Sequence, residues 1–506
     1  MRRIIVATLL VLSCGGRETA SLPPGPEDPV KNLAQLDAFA NRVQAEGLKA
    51  AWINATEPGS NAKPKPFGVL PLLLLTDSEV GALHGRLRDP QQTRCLQAVH
   101  AKAVHMQSES NFRVAKATAA IARLRQQLPD LTAMPAVSDS LQRRQMWLSQ
   151  ARVANELAPL IRELIAARNS WAVARSQSGY LELLKQHRGY DPAMAERLEA
   201  QVRASLGSRS LSSSQPWDFE AMDPALAARM AERFDAAHCL ERAAFVFKYL
   251  GLPRNPPALQ VREAKQAAFS DFASYPIDPP RDQRITVRPG AGVTPHWSTF
   301  HEFGHAAMSL LAEPGSCRTF SRPVSPAVSE SCAKIAERLF YSEEWLQSQH
   351  VPADEIVLLR NWEQQSELMR VRGILVDLEF ERLLYRNPGG DLSAQYARMQ
   401  RSTAGVQTGG DFPAWALKRH LAFEPLARGD YLLARCGQAA VYRRLRQMPG
   451  GLLGDPARRF VREQVFRGAS GLRYDEWFRR ATGAEPNCDA WIEDIATLKA
   501  LRRIGA

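Results

Sequence analysis

Apolar side chains recur at helical spacing over most of the chain. In residues 32–55 they fall three and four positions apart, and longer runs of the same kind cover residues 78–128 and 138–186. Side chains at these intervals share one face of an α-helix, so the pattern predicts long amphipathic helices. Further helices are predicted at residues 223–249, 353–385, 392–402, 431–448, 456–466 and 488–501.

The pattern changes between Pro253 and Pro295. Residues 259–262 and 284–287 alternate apolar and polar side chains, and Pro and Gly are frequent around them. Alternation of this kind predicts strands, so we expect a small β-ribbon in a mainly α chain. Such a strand either pairs with an extended peptide or serves only as a structural hairpin, and the pattern fits both roles.

The first residues have the features of an export signal. Arg2 and Arg3 precede an apolar run, residues 4–12, that is too short to cross a bilayer. Residues 11–14 (Val-Leu-Ser-Cys) resemble a bacterial lipobox, which predicts cleavage before Cys14 and acylation of its thiol. An ordinary signal peptide and a cytosolic start are the alternatives.

An acylated Cys14 attaches a protein to the membrane without spanning it, so we expect a lipid anchor in the bacterial cell envelope, facing the periplasm or the exterior. Residues 15–31 are rich in Gly and Pro and predict a tether. A polar segment at 207–216 predicts a mobile loop between an N-terminal helical half, 32–216, and a second half, 217–506, that holds the motif described below.

Composition and charge narrow the possible partners. The chain has 506 residues, an apolar fraction of 45% and a net charge of +12 spread along its length. It is long enough for one or two large domains, and we expect a monomer. No concentrated basic block and no nucleic-acid motif occur, so we expect no nucleic-acid partner. The charge favours an anionic membrane surface or acidic peptides.

Seven cysteines are present, and six remain when Cys14 is set aside. They are widely spaced and form no Cys-x-x-Cys motif. In an exported protein such cysteines either pair as disulfides or stay as buried thiols, and both alternatives are open.

A His-Glu-x-x-His motif lies in the second half of the chain. Thr294 suits a helix N-cap and Pro295 a first helical position, which predicts a helix of about four turns through the motif. On that helix His301 and His305 share a face, so both imidazoles can reach one metal ion. Glu302 at the rim of the same face can take a proton from a metal-bound water. We expect one Zn²⁺ per chain.

The third ligand is predicted on a following helix. A metzincin requires a histidine at the position of Leu311, so that class is excluded. Ser325 and Pro326 open a helix that carries Glu330 and, two turns later, Glu337. Only one of these carboxylates can reach the metal, and Glu330 is favoured because it is nearer the turn in the chain. Glu337 is expected to be solvated or salt-bridged.

The motif, with a glutamate 25 residues after its second histidine, resembles two related groups of mostly helical zinc peptidases. They are the angiotensin-converting enzyme (peptidyl-dipeptidase A) family and the thimet oligopeptidase family. Local matches to the first family lie at residues 36–56, 273–275, 283–285, 322–330 and 418–420. The resemblance is specific from about residue 273 to 442, and it implies a large multi-helix domain split by a deep cleft, with the β-ribbon next to the zinc helix.

The resemblance also implies roles for further residues. Ala273 and Ser274 are similar to part of a substrate-binding strand, and Lys418 to the lysine that holds the C-terminal carboxylate of the substrate. His420 is similar to a histidine that binds the substrate backbone near the cut. Tyr431 is similar to the tyrosine that stabilises the oxyanion.

The chain departs from the two families at several positions. The interval from His420 to Tyr431 is 11 residues, which lies between the spacings of the two families. Arg428 replaces a tyrosine that helps to hold the substrate carboxylate, and its guanidinium can bind that group bidentately. Lys334 replaces the acid expected to contact a ligand histidine. A carbonyl or another acid is expected to take its place, or the metal affinity is reduced.

These features predict a zinc metallopeptidase that hydrolyses short peptides and releases C-terminal dipeptides. One alternative is a thimet-type oligopeptidase that cuts internally. Another is a catalytically inactive, lipid-anchored peptide-binding protein, which is suggested by Lys334 and the altered tyrosine region.

Overall fold

The computed structural model describes residues 29–57, 60, 62, 75, 77–128, 139–175, 177–206, 215–216, 222–264, 272–313, 315, 317–407 and 412–495. Cys14, residues 15–28 of the predicted tether and most of the predicted loop at 207–216 lie outside the described residues. No helix in the described ranges has the length and apolar character needed to cross a membrane.

Helices dominate the described residues before the sheet, which confirms the mainly α fold predicted from the apolar spacing. Their bounds are α1 Pro29–Thr56, α2 Asp77–His84, α3 Pro90–Glu109, α4 Phe112–Arg125, α5 Ser140–Leu148, α6 Ala151–Val173, α7 Tyr180–Lys185, α8 Pro192–Leu206, α9 Pro224–Arg233, α10 Cys239–Ala243 and α11 Phe245–Tyr249.

Local capping divides the long helical patterns into shorter helices. Asp89 accepts a hydrogen bond from the Gln91 backbone N–H at the start of α3, and Asn111 accepts bonds from the Arg113 and Val114 backbone at the start of α4. These side chains replace the intrahelical partners that the first N–H groups lack, so each begins a new helix. The predicted run over 78–128 is therefore three helices.

Three strands form one small sheet, β1 Leu259–Glu263, β2 Ala273–Asp278 and β3 Asp282–Val287, in the order β1-β3-β2. β1 and β3, the two strands predicted from the alternation, are parallel, so they do not form a hairpin with each other. β2 and β3 are antiparallel and joined by a short turn at 279–281, so these two strands do form a hairpin. β3 packs against the helix that carries the metal-binding motif, which confirms the predicted position of the ribbon. β2 lies at the edge of the sheet and packs against α1.

Helices again dominate after the sheet. Their bounds are α12 Val293–Leu310, α13 Pro326–Phe340, α14 Glu343–Ser348, α15 Ala353–Arg386, α16 Leu392–Met399, α17 Arg419–Phe423, α18 Ala427–Arg446, α19 Asp455–Phe460 and α20 Tyr474–Thr482, and another helix runs from 489 to 495, the last described residue. Shorter 3₁₀ and π segments lie at Arg318–Ser321, Gln400–Ala404, Ala414–Leu417, Val461–Phe466 and Ala469–Gly471.

Helix α12 begins slightly earlier than predicted. Its N-cap is Gly292, at φ 91°, a conformation that glycine adopts without strain, and the predicted cap Thr294 lies inside the first turn. Pro295 is tolerated there because N–H groups in the first turn have no intrahelical acceptor. Helix α13 begins as predicted, with Ser325 as N-cap and Pro326 at the first position.

The two largest hydrophobic clusters combine distant parts of the sequence. One joins α8 to α12, α13 and α18, and the other joins residues 104–184 to residues 376–426. Each cluster takes side chains from both sides of the boundary at residue 216. The division into halves at that boundary stays a prediction.

Both alternatives for the cysteines occur. Cys95 bonds to Cys317 and Cys436 to Cys488, while Cys239 and Cys332 are buried thiols. The first disulfide fastens α3 to the segment that leads to α13.

Candidate active site

Helices α12 and α13 carry the predicted metal ligands, and a glycine inside the motif lets them approach closely. A Cβ atom added to Gly304 would lie 2.7 Å from Ala333 Cα and 2.8 Å from Ala336 Cβ. The backbone of α12 therefore packs directly on α13. This contact sets Glu330, near the start of α13, opposite His301 and His305.

Three donor groups converge at this contact. His301 Nε2 lies 3.4 Å from Glu330 Oε2, and His305 Nε2 lies 3.8 Å from Glu330 Oε1. One ligand atom from each of the three residues lies within 4.8 Å of the others. The structure thus brings the predicted ligand set together on partly exposed side chains.

The far nitrogens of the two imidazoles have different partners. His301 Nδ1 lies 3.2 Å from Glu337 Oε2, whereas His305 Nδ1 lies 2.9 Å from Ser329 Oγ. Glu337 was expected to be solvated or salt-bridged; it is 4% exposed and forms a salt bridge with Lys334 Nζ at 2.9 Å, which confirms the second of these alternatives. Glu337 is therefore the acid that contacts His301 in place of residue 334, and this is one of the expected alternatives.

The electrostatics of the site favour a cation. Burial disfavours the charged imidazolium of His301, yet hydrogen bonds to Glu330 and Glu337 outweigh it and raise its pKa to about 9. Burial likewise opposes ionisation of Glu337, but Lys334 and His301 hold the pKa of its carboxyl far below the usual range. Carboxylates that stabilise an imidazolium at this position would equally stabilise a metal ion.

A deep cleft opens over these ligands, as predicted. Its volume is about 1470 Å³ including the solvent in its mouth, and it is lined by parts of α12, α13, α18 and β2. Glu302 lines it with a side chain that is 7% exposed. The predicted site residues on this lining are Ala273, Ser274, His301, Glu302, His305, Glu330 and Tyr431.

The other three predicted residues lie around a buried carboxylate outside the lining of the cleft. Arg428 Nε is 2.9 Å from Asp377 Oδ2, Lys418 Nζ is 3.6 Å from Oδ1 and His420 Nε2 is 3.9 Å from Oδ2. Asp377 is 2% exposed, and although burial opposes its ionisation, the cations Lys418 and Arg428 keep its pKa low. The substrate-binding roles of Lys418, His420 and Arg428 stay predictions.

Sequence reasoning missed several charged groups of the cleft. Arg188 is the only Lys or Arg among the described residues that line it, and it pairs with Asp430, directly before Tyr431. Burial raises the pKa of Asp430 to about 6, although Arg188 favours the carboxylate. The proximity of Asp430 to Tyr431 was a usable signal, whereas nothing around Arg188 in the sequence marks it.

Ser329 and Glu337 were also missed as partners of the histidines. Ser329 directly precedes Glu330, and Glu337 lies two turns later on the same helix. Their positions on α13 were visible in the sequence. Which side chain of α13 meets which imidazole depends on how the two helices cross.

The sequence has no match among protein families or among curated proteins. Solved structures share its fold, and each is matched over 93% of this chain. They are M32 carboxypeptidase from Deinococcus radiodurans R1 (16% identity, TM-score 0.63, 99% of that chain), PZ peptidase A with inhibitor 2 (14%, 0.63, 87%) and a proposed oligoendopeptidase F from Bacillus anthracis strain Ames (14%, 0.61, 85%).

At these identities the likeness shows a shared fold. The neighbours are consistent with the resemblance to thimet-type oligopeptidases. Membership of the converting-enzyme family stays a prediction.

Proposed function

We propose that the chain is a zinc-dependent peptidase. The observation that carries the proposal is the convergence of His301, His305 and Glu330 within 4.8 Å at the floor of a cleft. Two imidazole nitrogens and one carboxylate oxygen are a donor set that catalytic zinc uses, and they leave a fourth position open. A zinc ion held there supplies Lewis-acid activation of water and of the peptide carbonyl.

The side chains of the chain supply the proton transfers and the remaining charge stabilisation. Glu302 lies next to His301 on α12 and lines the same cleft, so its carboxylate takes a proton from the attacking water and delivers it to the leaving amine. Tyr431 lines the cleft from the start of the second turn of α18. Its hydroxyl donates a hydrogen bond to the oxyanion.

An edge strand beside the cleft supports peptides as the substrate class. Ala273 and Ser274 on β2 line the cleft, and the only strand that pairs with β2 in the described sheet is β3. The other edge of such a strand can form backbone hydrogen bonds with an extended peptide, whatever the side chains of that peptide are. We therefore expect broad tolerance of substrate sequence.

Removal and return of the metal tests the proposal. Protein freed of metal by a chelator is expected to cleave no peptide, and added Zn²⁺ is expected to restore cleavage. The readout is mass analysis of products from a broad set of short peptides. Cleavage that persists at the same rate in metal-free protein would contradict the proposal.

Release of C-terminal dipeptides is the finer proposal, with Lys418 or Arg428 holding the terminal carboxylate. Internal cleavage is a second candidate because both cations contact Asp377 and neither lines the cleft. Peptides with a free C-terminal acid and their C-terminal amides separate the two. Faster cleavage of the acids supports dipeptide release, and equal rates support internal cleavage.

We also propose that Cys14 is acylated and anchors the protein in the cell envelope. The two disulfides support this location, because disulfides persist mainly in oxidising compartments. Cells given a labelled fatty acid are expected to label the wild-type protein and leave Cys14→Ser unlabelled. Equal labelling of both proteins would contradict the anchor.

A further inference from the structure

Glu337 occupies a position that a purely structural salt bridge would not require. It lies two turns beyond Glu330 on α13, which places both carboxylates on the face that meets α12. Its Oε2 is 3.2 Å from His301 Nδ1, on the side of the ring opposite Glu330. The imidazole of His301 therefore lies between two carboxylates.

Lys334 holds the second oxygen of the same carboxylate. Its Nζ donates to Glu337 Oε1 at 2.9 Å, and both side chains are buried. The ammonium also lies 5.9 Å from the ring of Trp297, on the motif helix. Each oxygen of Glu337 thus has one fixed partner, which restricts the orientation of the carboxylate.

We propose that Glu337, oriented by Lys334, is the positioning residue of His301. Its carboxylate keeps the proton of the neutral imidazole on Nδ1 and leaves the lone pair of Nε2 for the metal. The inference rests on the proposed zinc site. The family resemblance predicts a single acid at position 334. In this chain Lys334 and Glu337 together take the place of that acid.

The two histidines then differ in their strength as metal ligands. Ser329 Oγ, a neutral group, contacts His305 Nδ1, whereas a carboxylate contacts His301. A charged acceptor increases the basicity of the ring more than a hydroxyl does. His301 is therefore the stronger of the two donors, and loss of Glu337 weakens the site more than loss of Ser329.

The test compares zinc affinities, measured by competition with a chelator. Glu337→Gln keeps the shape of the side chain and removes its charge, and it is expected to weaken zinc binding roughly 10- to 100-fold. The matched control is Glu363→Gln. Glu363 is also buried, but its carboxylate pairs with Arg338 of α13 at 3.0 Å and not with a motif histidine, as far as the described residues show. Its variant is expected to bind zinc like the wild type.

A double variant keeps the test valid if Glu337→Gln folds poorly. Lys334→Met with Glu337→Met removes both charges of the ion pair together, so neither partner is left as an unpaired buried charge and the variant is expected to fold. Unfolding of the zinc-free protein is expected near the wild-type temperature, with zinc affinity as low as in Glu337→Gln. The visible absorption bands of the cobalt-substituted protein are expected to shift in both variants and not in Glu363→Gln.

The outcomes separate this inference from the proposed function. Wild-type protein that binds no zinc would overturn both. Wild-type protein that binds zinc and cleaves peptides, together with variants of equal zinc affinity and unchanged cobalt spectra, would overturn the positioning role alone. Weaker zinc binding in both Glu337 variants, with a normal control, supports it.

Discussion

Tyr431 and Glu302 enter the cleft from different helices, α18 and α12, and the proposed reaction uses them at different stages. In the proposed reaction Glu302 takes a proton from the attacking water and later delivers it to the leaving amine. The Tyr431 hydroxyl contacts an oxygen only when negative charge develops on it. A group of this second kind contributes to the rate and adds little to substrate binding.

Tyr431→Phe is therefore expected to lower kcat by about 100- to 1,000-fold with little change in KM. Tyr442→Phe is the matched control, because Tyr442 is buried on the same helix and its hydroxyl contacts the Ile335 carbonyl. Steady-state rates on one peptide check both variants. Equal loss of kcat in the two variants would show that Tyr431 has only a structural role.

The sequence predicts individual site residues where the spacing within one helix decides the geometry. His301, Glu302 and His305 belong to one such pattern, and Glu330 follows from the start of the next helix. The environment of Lys418 was not predictable in this way. Its partner Asp377 lies on α15, and nothing local in the sequence shows that the two meet.

At the scale of elements, the α12–α13 contact positions the whole ligand set. Gly304 allows the contact because it has no side chain where Ala333 and Ala336 pack. Closely packed backbones of this kind have no room for an added methyl group. The separation of the two helices therefore controls the distances between ligand atoms.

Gly304→Ala is expected to reduce the free energy of unfolding by about 1–3 kcal/mol and to weaken zinc binding, because the methyl group forces the helices apart. Gly373→Ala on α15 is the control, since a Cβ there would have no described residue beyond its own stretch of helix within 4 Å. That change is expected to be neutral, or stabilising by up to about 1 kcal/mol. Denaturant unfolding and zinc titration measure both variants.

A Gly304→Ala protein with wild-type stability and zinc affinity would show that the helices tolerate the methyl group. The ligand geometry would then be set elsewhere.

Helices and strands could be predicted from the sequence where the hydrophobic periodicity or the capping residues lie within the element itself. Ser325 and Pro326 mark the start of α13 correctly. The pairing of the strands was not predictable, because β1 and β3 are parallel and β2 pairs with the other side of β3. Alternation identifies a strand without showing its neighbour.

Helix α15 joins the two large hydrophobic clusters of the protein. Its 34 residues contribute side chains to both, and Glu381 on this helix accepts a hydrogen bond from the Leu426 backbone N–H at 3.1 Å. This bond ties α15 to the segment that precedes α18. Burial raises the pKa of Glu381 to about 7.

The raised pKa gives a pH-dependent stability with a definite sign. Between about pH 4.5 and 7 the folded chain retains a proton that the unfolded chain has released, so this contribution falls as the pH rises. Glu381→Gln removes the effect and is expected to be more stable than the wild type at pH 8, by up to about 3 kcal/mol, but not at pH 4. Urea unfolding at both values checks this.

Exposed Glu163 provides the control for that experiment, as Glu163→Gln. It is expected to follow the wild type at both pH values. A Glu381→Gln protein that also follows the wild type at both values would show that this carboxyl is ionised in the folded chain.

The overall class was predictable from the sequence, and the arrangement of its parts was not. Helical spacing predicts a mainly α protein because the amphipathic face of each helix is determined by residues within that helix. The packing of residues 104–184 against residues 376–426 joins segments far apart in the chain. No periodicity within either segment specifies its partner.

Zinc content and peptide cleavage, measured together on wild type and Glu302→Gln, form the decisive experiment for the proposed zinc peptidase. About one zinc per chain is expected in both proteins, because Glu302 is not a ligand. The wild type is expected to release products, and the variant to cleave at a rate lower by about 100- to 10,000-fold. Two proteins that both bind zinc and cleave none of a broad set of peptides would overturn the proposed activity and indicate a peptide-binding protein.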